Sequence, residues 1–200
     1  MALTSVAAVA QDRPSTIITI NGGKTVVNMK ATSTAASGRI EPAVNPFYDN
    51  IGYMYLPDMG WTLSNDLQQF VGDQFVSLKS GTTKKIGVGL GYLDGTDSAY
   101  ITLDKDCNGV PCGTIDKTKL CRGTVSGTPT FGSARTAVTS FRCKAKLQKG
   151  KPYWVYIESF DNSDLVWNYS NGYSGWVIGG IDGVWQSPAN GQPLGALRVD

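Results

Sequence analysis

Short runs in which apolar and polar residues alternate, each broken by turn residues, dominate this chain and leave little room for any fold but an all-β one. Ser15–Ile20 runs into Asn21-Gly22-Gly23 and out again through Lys24–Met29, the pattern of a hairpin. Residues 84–93 set Ile86, Val88, Leu90 and Tyr92 on one face of a strand and Gly87, Gly89 and Gly91 on the other. Further strands are expected over residues 74–78, 98–103, 114–125, 136–147, 153–160, 165–169, 175–181 and 194–199. Thr62–Val71 reads equally as one helical turn or the start of a strand. Residues 30–46, rich in Ala, Ser and Thr with two prolines, read as a long loop or crossing segment. About ten short strands with little or no helix predict an antiparallel two-sheet β-sandwich, jelly-roll-like. With no internal repeat and no linker, residues 1–200 form one domain in this reading.

Composition narrows the function classes. Charged residues make up 17% of the chain, against a usual share of roughly 25%. Sparse charge with 24 glycines fits an extracellular β-protein. There is no histidine, which removes Ser–His–Asp and Cys–His catalysis, histidine-ligated zinc and histidine pH switching. A net charge of +2 supplies no field to hold a phosphate backbone, so nucleic acid is not an expected partner. Glu41 and Glu158 are the only glutamates, and most aspartates sit beside Gly, Asn or Ser as turn residues do. Nothing here asks for the paired carboxylates of a glycosidase, and the expectation is a protein that is not an enzyme.

No stretch approaches the roughly 20 apolar residues of a spanning helix, so membrane insertion is not expected. Ala8-Val9-Ala10 before Gln11 has the small residues of a secretion-signal cleavage site, without a basic leader. Residues 1–14 therefore read either as a signal remnant or as an extended N-terminal arm. Cys107, Cys112, Cys121 and Cys143 fall too unevenly for a zinc knuckle. The expected pairing is Cys107–Cys112 across a tight turn and Cys121–Cys143 between two strands. Disulfides persist in oxidising compartments, so the expected location is extracellular or at the cell surface.

Two constellations could carry a site. Asp104-Lys105-Asp106-Cys107-Asn108-Gly109 begins as a calcium loop begins, with oxygen ligands at alternate positions before a glycine. Ile115 stands where an EF-hand would place its bidentate glutamate, and the competing reading is a strand-connecting turn with local backbone bonds. No cofactor is required; calcium on Asp104, Asp106 and Asn108 is the one metal these motifs suggest. The second constellation is aromatic. Nine Tyr, Trp and Phe residues crowd the stretch from Tyr153 to Trp185. In Tyr153–Glu158, alternation puts Tyr153, Val155 and Ile157 on one face and Trp154, Tyr156 and Glu158 on the other. Both faces cannot be core unless something covers the outer one. These rings either fill a core or offer a stacking platform for sugar. Trp167, Trp176 and Trp185, beside Asn168, Gly175 and Gln186, are the platform candidates, with Asn168 as a hydroxyl partner.

From residue 74 to 200 the chain resembles secreted bacterial choice-of-anchor β-sandwich domains. The resemblance rests on the stretches 84–92, 101–104, 108–111, Gly113-Thr114, 147–154, Val166-Trp167-Asn168 and 195–199. Cys107 and Cys112 lie outside that family pattern, and residues 1–73 match no pattern. The resemblance implies a jelly-roll-like fold and export, and it transfers no catalytic residue. The function expected is therefore a non-catalytic surface module that binds glycan or another surface polymer. The alternative is a structural subunit of a filament, surface layer or shell, in which the N-terminal arm adds a strand to another copy.

Overall fold

The computed structural model describes residues 45–51, 55–113, 119–132, 138–159 and 162–200, with side chains of 55–58 excepted. The hairpin expected over 15–29 and the arm at 1–14 lie outside the described residues. The strands are β1 (Tyr48–Asp49), β2 (Tyr55–Leu63), β3 (Phe70–Val76), β4 (Gly81–Thr82), β5 (Lys85–Asp94), β6 (Ala99–Lys105) and β7 (Cys121–Val125). They continue as β8 (Val138–Arg142), β9 (Lys146–Leu147), β10 (Pro152–Ser159), β11 (Asp164–Ile181), β12 (Val184–Trp185), β13 (Ala189–Gly195) and β14 (Leu197–Val199). A single 3₁₀ turn, Asn65–Leu67, is the helical element among the described residues. The fold is all-β, and among the described residues every ladder between named strands is antiparallel, with one isolated parallel bridge between Tyr92 and Thr130.

Hydrogen bonding runs through the whole sheet instead of stopping between two halves. β8 and β14 flank the first part of β5, and β1 pairs with the other side of β14. The second part of β5 pairs with the first half of β11, which also pairs with β2. The second half of β11 takes β3 on one side and β13 and β12 on the other. From β3 the order continues β10, β6, β7. Thus β11, 18 residues long, joins the two parts of the sheet, where two separate strands were expected at 165–169 and 175–181. The run expected over 136–147 is divided instead. Thr83 Oγ1 donates to the Cys143 carbonyl and accepts from the Ala145 N–H, drawing the chain from β5 across to β4.

The core lies between the inward faces of these strands. It contains Ile86, Val88 and Leu90 of β5, Ile101 and Leu103 of β6, Val155 and Ile157 of β10, and Leu165 and Trp167 of β11. The glycine face of β5 is a packing device: a Cβ on Gly91 would come within 2.9 Å of the Phe131 Cα. Cysteine pairing follows the spacing, with disulfides Cys107–Cys112 and Cys121–Cys143 and no free cysteine. This is the state of a chain from an oxidising compartment. No helix among the described residues is long and apolar enough to cross a membrane.

Candidate functional site

The outer face of β7-β6-β10-β3-β11 carries the side chains that could do chemistry. Register places Arg122 beside Thr102, Thr102 beside Tyr156, Tyr156 beside Gly72 and Gly72 beside Ile178. Trp154 and Tyr156, which alternation turns away from the core, are nevertheless fully buried. Two coverings account for this. The 106–113 loop closes one side, where Asp106 Oδ1 accepts from Trp154 Nε1 at 2.7 Å and from Gln74 Nε2 at 2.8 Å. On the other side Trp185 of β12 folds over, edge-on to Phe70 at 4.3 Å and to Tyr156 at 5.0 Å between ring centroids.

The loop with Asp104, Asp106 and Asn108 has its acceptors committed. Asp104 takes the Lys105 N–H on Oδ1 and the Gly113 N–H on Oδ2, each at 2.7 Å. Asp106 Oδ2 takes the Gly109 N–H at 3.1 Å. Asn108 sits exposed in the left-handed region at φ 60°, and the Cys107–Cys112 disulfide closes the turn. Burial pushes the Asp104 carboxyl above its ordinary range, and the Gly113 and Lys105 N–H groups, with the Lys119 and Lys105 charges, offset part of that rise. Among the described residues no three His, Cys, Asp or Glu side chains gather as a metal set. A cation on this loop would have to displace the N–H donors that now face the four carboxylate oxygens. The arrangement fits a turn better than a calcium cage.

The structure separates the three tryptophans. Trp167 is fully buried in the core and donates from Nε1 to the Ala196 carbonyl at 3.1 Å. Asn168 is buried beside it, at 3% exposure. Neither is available as a platform, and that assignment is corrected. Their part of β11 runs mid-strand between β2 and β5, so it is not the loop that neighbouring Asn and Gly residues suggested. Trp185 is half-buried as the cover of Phe70 and Tyr156. Trp176 is 43% exposed. It shares the parity of Ile178 and therefore the outer face.

The surroundings of Trp176 are irregular. Between the pairs Gly175–Gln192 and Val177–Ala189, strand β13 carries one residue more than β11, so Asn190 and Gly191 both stand opposite Trp176. Gly191 adopts φ 74° and donates its N–H to Asn190 Oδ1. A second irregularity, between Tyr169 and Ser174, pushes Asn171, Gly172 and Tyr173 outward, where all three are exposed. An exposed indole thus lies opposite the exposed amide of Asn190. Tyr173 is also exposed, at 48%; in the sequence it was one aromatic among nine.

The inner face of the same strands holds a buried carboxyl. Asp73 is fully buried between Val71 and Phe75; its Oδ2 accepts the Gly195 N–H at 2.5 Å, and its Oδ1 has no hydrogen-bond partner among the described residues. Burial, against the smaller effect of the Gly195 bond, raises its pKa well above the carboxylate range. The nearby carboxyl adds to the burial that pushes the Tyr169 phenol up to about 12. A carboxyl whose folded pKa is raised adds stability below its unfolded pKa of about 3.9. That stability is lost as pH climbs through the folded value. Asp73→Asn keeps the acceptor for Gly195 and cannot ionise. Thermal melts from pH 4 to 8 are expected to fall with rising pH more steeply in the wild type than in Asp73→Asn. Parallel profiles would contradict the assignment.

No protein-family model matches this chain, and no curated protein matches it. The observations themselves define the class: an all-β, disulfide-bonded protein of an oxidising compartment.

Proposed function

We propose that this protein is a non-catalytic extracellular or cell-surface module that holds a glycan or similar surface polymer against Trp176. The observation that carries the reading is the exposed Trp176 indole on a sheet face, with the exposed Asn190 opposite it on the neighbouring strand. An indole face stacks on the apolar face of a sugar ring, while amides exchange hydrogen bonds with its hydroxyls. Two further facts support a binding role. Asp104 and Asp106 hold backbone and side-chain N–H groups, and Glu158 faces Arg122, which leaves them engaged in the fold and not poised as an acid–base pair. Both disulfides suit export, and so does the resemblance of residues 74–200 to choice-of-anchor domains.

The test is retention on insoluble cellulose, chitin and purified peptidoglycan. Wild type is expected to be retained on at least one, and Trp176→Ala to lose tenfold or more of that retention. As a surface substitution the variant should keep its stability within about 0.5 kcal/mol. Equal retention of the two proteins would remove Trp176 from the reading.

A further inference from the structure

We propose that the basic edge made by residues 79–85 and 142–151 is a second binding surface, separate from Trp176, which takes a linear anionic polysaccharide. Backbone bonds lay the two segments side by side. β4 pairs with β9, the Thr83 N–H donates to the Ala145 carbonyl and the Cys143 N–H to the Lys84 carbonyl, and Lys85 stands opposite Arg142. Together the segments hold eight of the 18 lysines and arginines, and neither Asp nor Glu. The other ten cations share the rest of the chain with all 16 acidic residues. A net charge of +2 therefore hides a strongly positive edge, which is a local field and not a property of the whole chain.

Most of this charge is unanswered within the fold. Lys79 is engaged, its Nζ donating to the Asn45 carbonyl and lying 4.4 Å from the Phe47 ring centroid. Lys85 Nζ lies 3.7 Å from Asp200 Oδ2. Lys84, Arg142, Lys144, Lys146, Lys149 and Lys151 are exposed and have no ion-pair partner among the described residues. Like charges directly opposite each other on paired strands repel, and Lys85 and Arg142 are such a pair. An anion from outside the chain would relieve that repulsion. The arrangement also selects the shape of the partner. Buried Cys143, Ala145 and Leu147 alternate with exposed Arg142, Lys144 and Lys146, so three cations project from one side at roughly 6–7 Å intervals along an extended chain. Such a row suits a linear polymer with repeated charges better than one small anion. Neither segment carries an aromatic ring for base stacking or an exposed large hydrophobic for entry into lipid. The oxidising compartment read from the disulfides likewise favours a polysaccharide over nucleic acid.

The experiment is a fluorescence-anisotropy titration of labelled heparin and labelled alginate with the full chain, at about 0.15 M sodium chloride so that weak surface attraction is screened. It compares wild type, the edge variant Lys144→Gln/Lys146→Gln, the charge-keeping variant Lys144→Arg/Lys146→Arg, and Trp176→Ala. Lys105→Gln/Lys119→Gln, outside the edge, removes the same net charge as the edge variant. Wild type is expected to bind at least one of the two polymers saturably, and the edge variant to bind it about tenfold more weakly. The arginine variant, the Lys105/Lys119 variant and Trp176→Ala should bind within about twofold of wild type. Three results would overturn the proposal. They are no saturable binding of either polymer by wild type, undiminished binding by the edge variant, and equal weakening in the Lys105/Lys119 variant, which would make the effect one of net charge alone. Binding of wild type to phosphatidylglycerol vesicles or single-stranded DNA, but to neither polysaccharide, would likewise overturn it. Loss of binding in Trp176→Ala would overturn the separateness of the two surfaces. Retention on cellulose, chitin and peptidoglycan tests Trp176 independently, so either reading can fail alone.

Discussion

Trp167→Ala is expected to destabilise the protein by about 3–5 kcal/mol, the cost of truncating a large buried aromatic. For a chain of this size the melting temperature would fall by roughly 10–15 °C. The indole lies at the point where β11 passes from one part of the sheet to the other, and the segment Gly195–Leu197 closes over it. Several bonds besides the indole's own clamp that segment. Gly195 donates to Asp73, and Asn168 accepts from the Ala196 N–H. Asn50 accepts from Leu197 and donates to the Gly195 carbonyl. Gly195 permits the close approach, since a Cβ there would sit 2.2 Å from the indole ring. Removing the ring leaves a cavity roofed by a fixed backbone that cannot collapse into it. Chemical denaturation of Trp167→Ala checks this, and a loss below about 1 kcal/mol would contradict the packing described.

The second large effect is expected at the Cys121–Cys143 disulfide. β7 and β8 are terminal strands of the sheet and share no ladder; this bond ties the first residue of β7 to the residue just beyond β8. It closes a loop with a sequence separation of 22, for which chain entropy gives about 3 kcal/mol. Cys107–Cys112 closes a separation of 5, and the same relation gives about 2 kcal/mol. Replacing Cys121 and Cys143 together by serine should lower the melting temperature by about 10 °C. The corresponding change at Cys107 and Cys112 should lower it less. A reversed order would mean that the small loop, through Asp106 and Trp154, supports the fold more than the clasp between edges does.

Much of the fold was legible because period-2 alternation is a local signal. Ile86, Val88 and Leu90 are buried in the core as their alternation with glycine requires. The two disulfides were legible because the four cysteines allow few pairings and only Cys107 and Cys112 lie close together. Exposure of the tryptophans was not legible. Trp167 has Asn168 beside it and Trp176 has Gly175, yet one lies between β2 and β5 and the other faces the extra residue in β13. Cross-strand partners decide burial, and they lie outside any local window: Trp61 and Leu90 for Trp167, Asn190 and Gly191 for Trp176. The row Arg122–Thr102–Tyr156 was hidden for the same reason: each residue alternates outward on its own strand, and only the register brings them together. That something had to cover Trp154 and Tyr156 could be read from the alternation. That the covers are the Asp106 loop and Trp185 could not.

Affinity electrophoresis is the direct test of the proposed contact between Trp176 and a polymer. Wild type, Trp176→Ala and Trp185→Ala would run in native gels cast with soluble cellulose, chitin and peptidoglycan derivatives, beside a polymer-free gel. At least one polymer is expected to retard wild type, and Trp176→Ala is expected to migrate there as it does without polymer. Identical retardation of wild type and Trp176→Ala, or no retardation of wild type by any of the three, would contradict it.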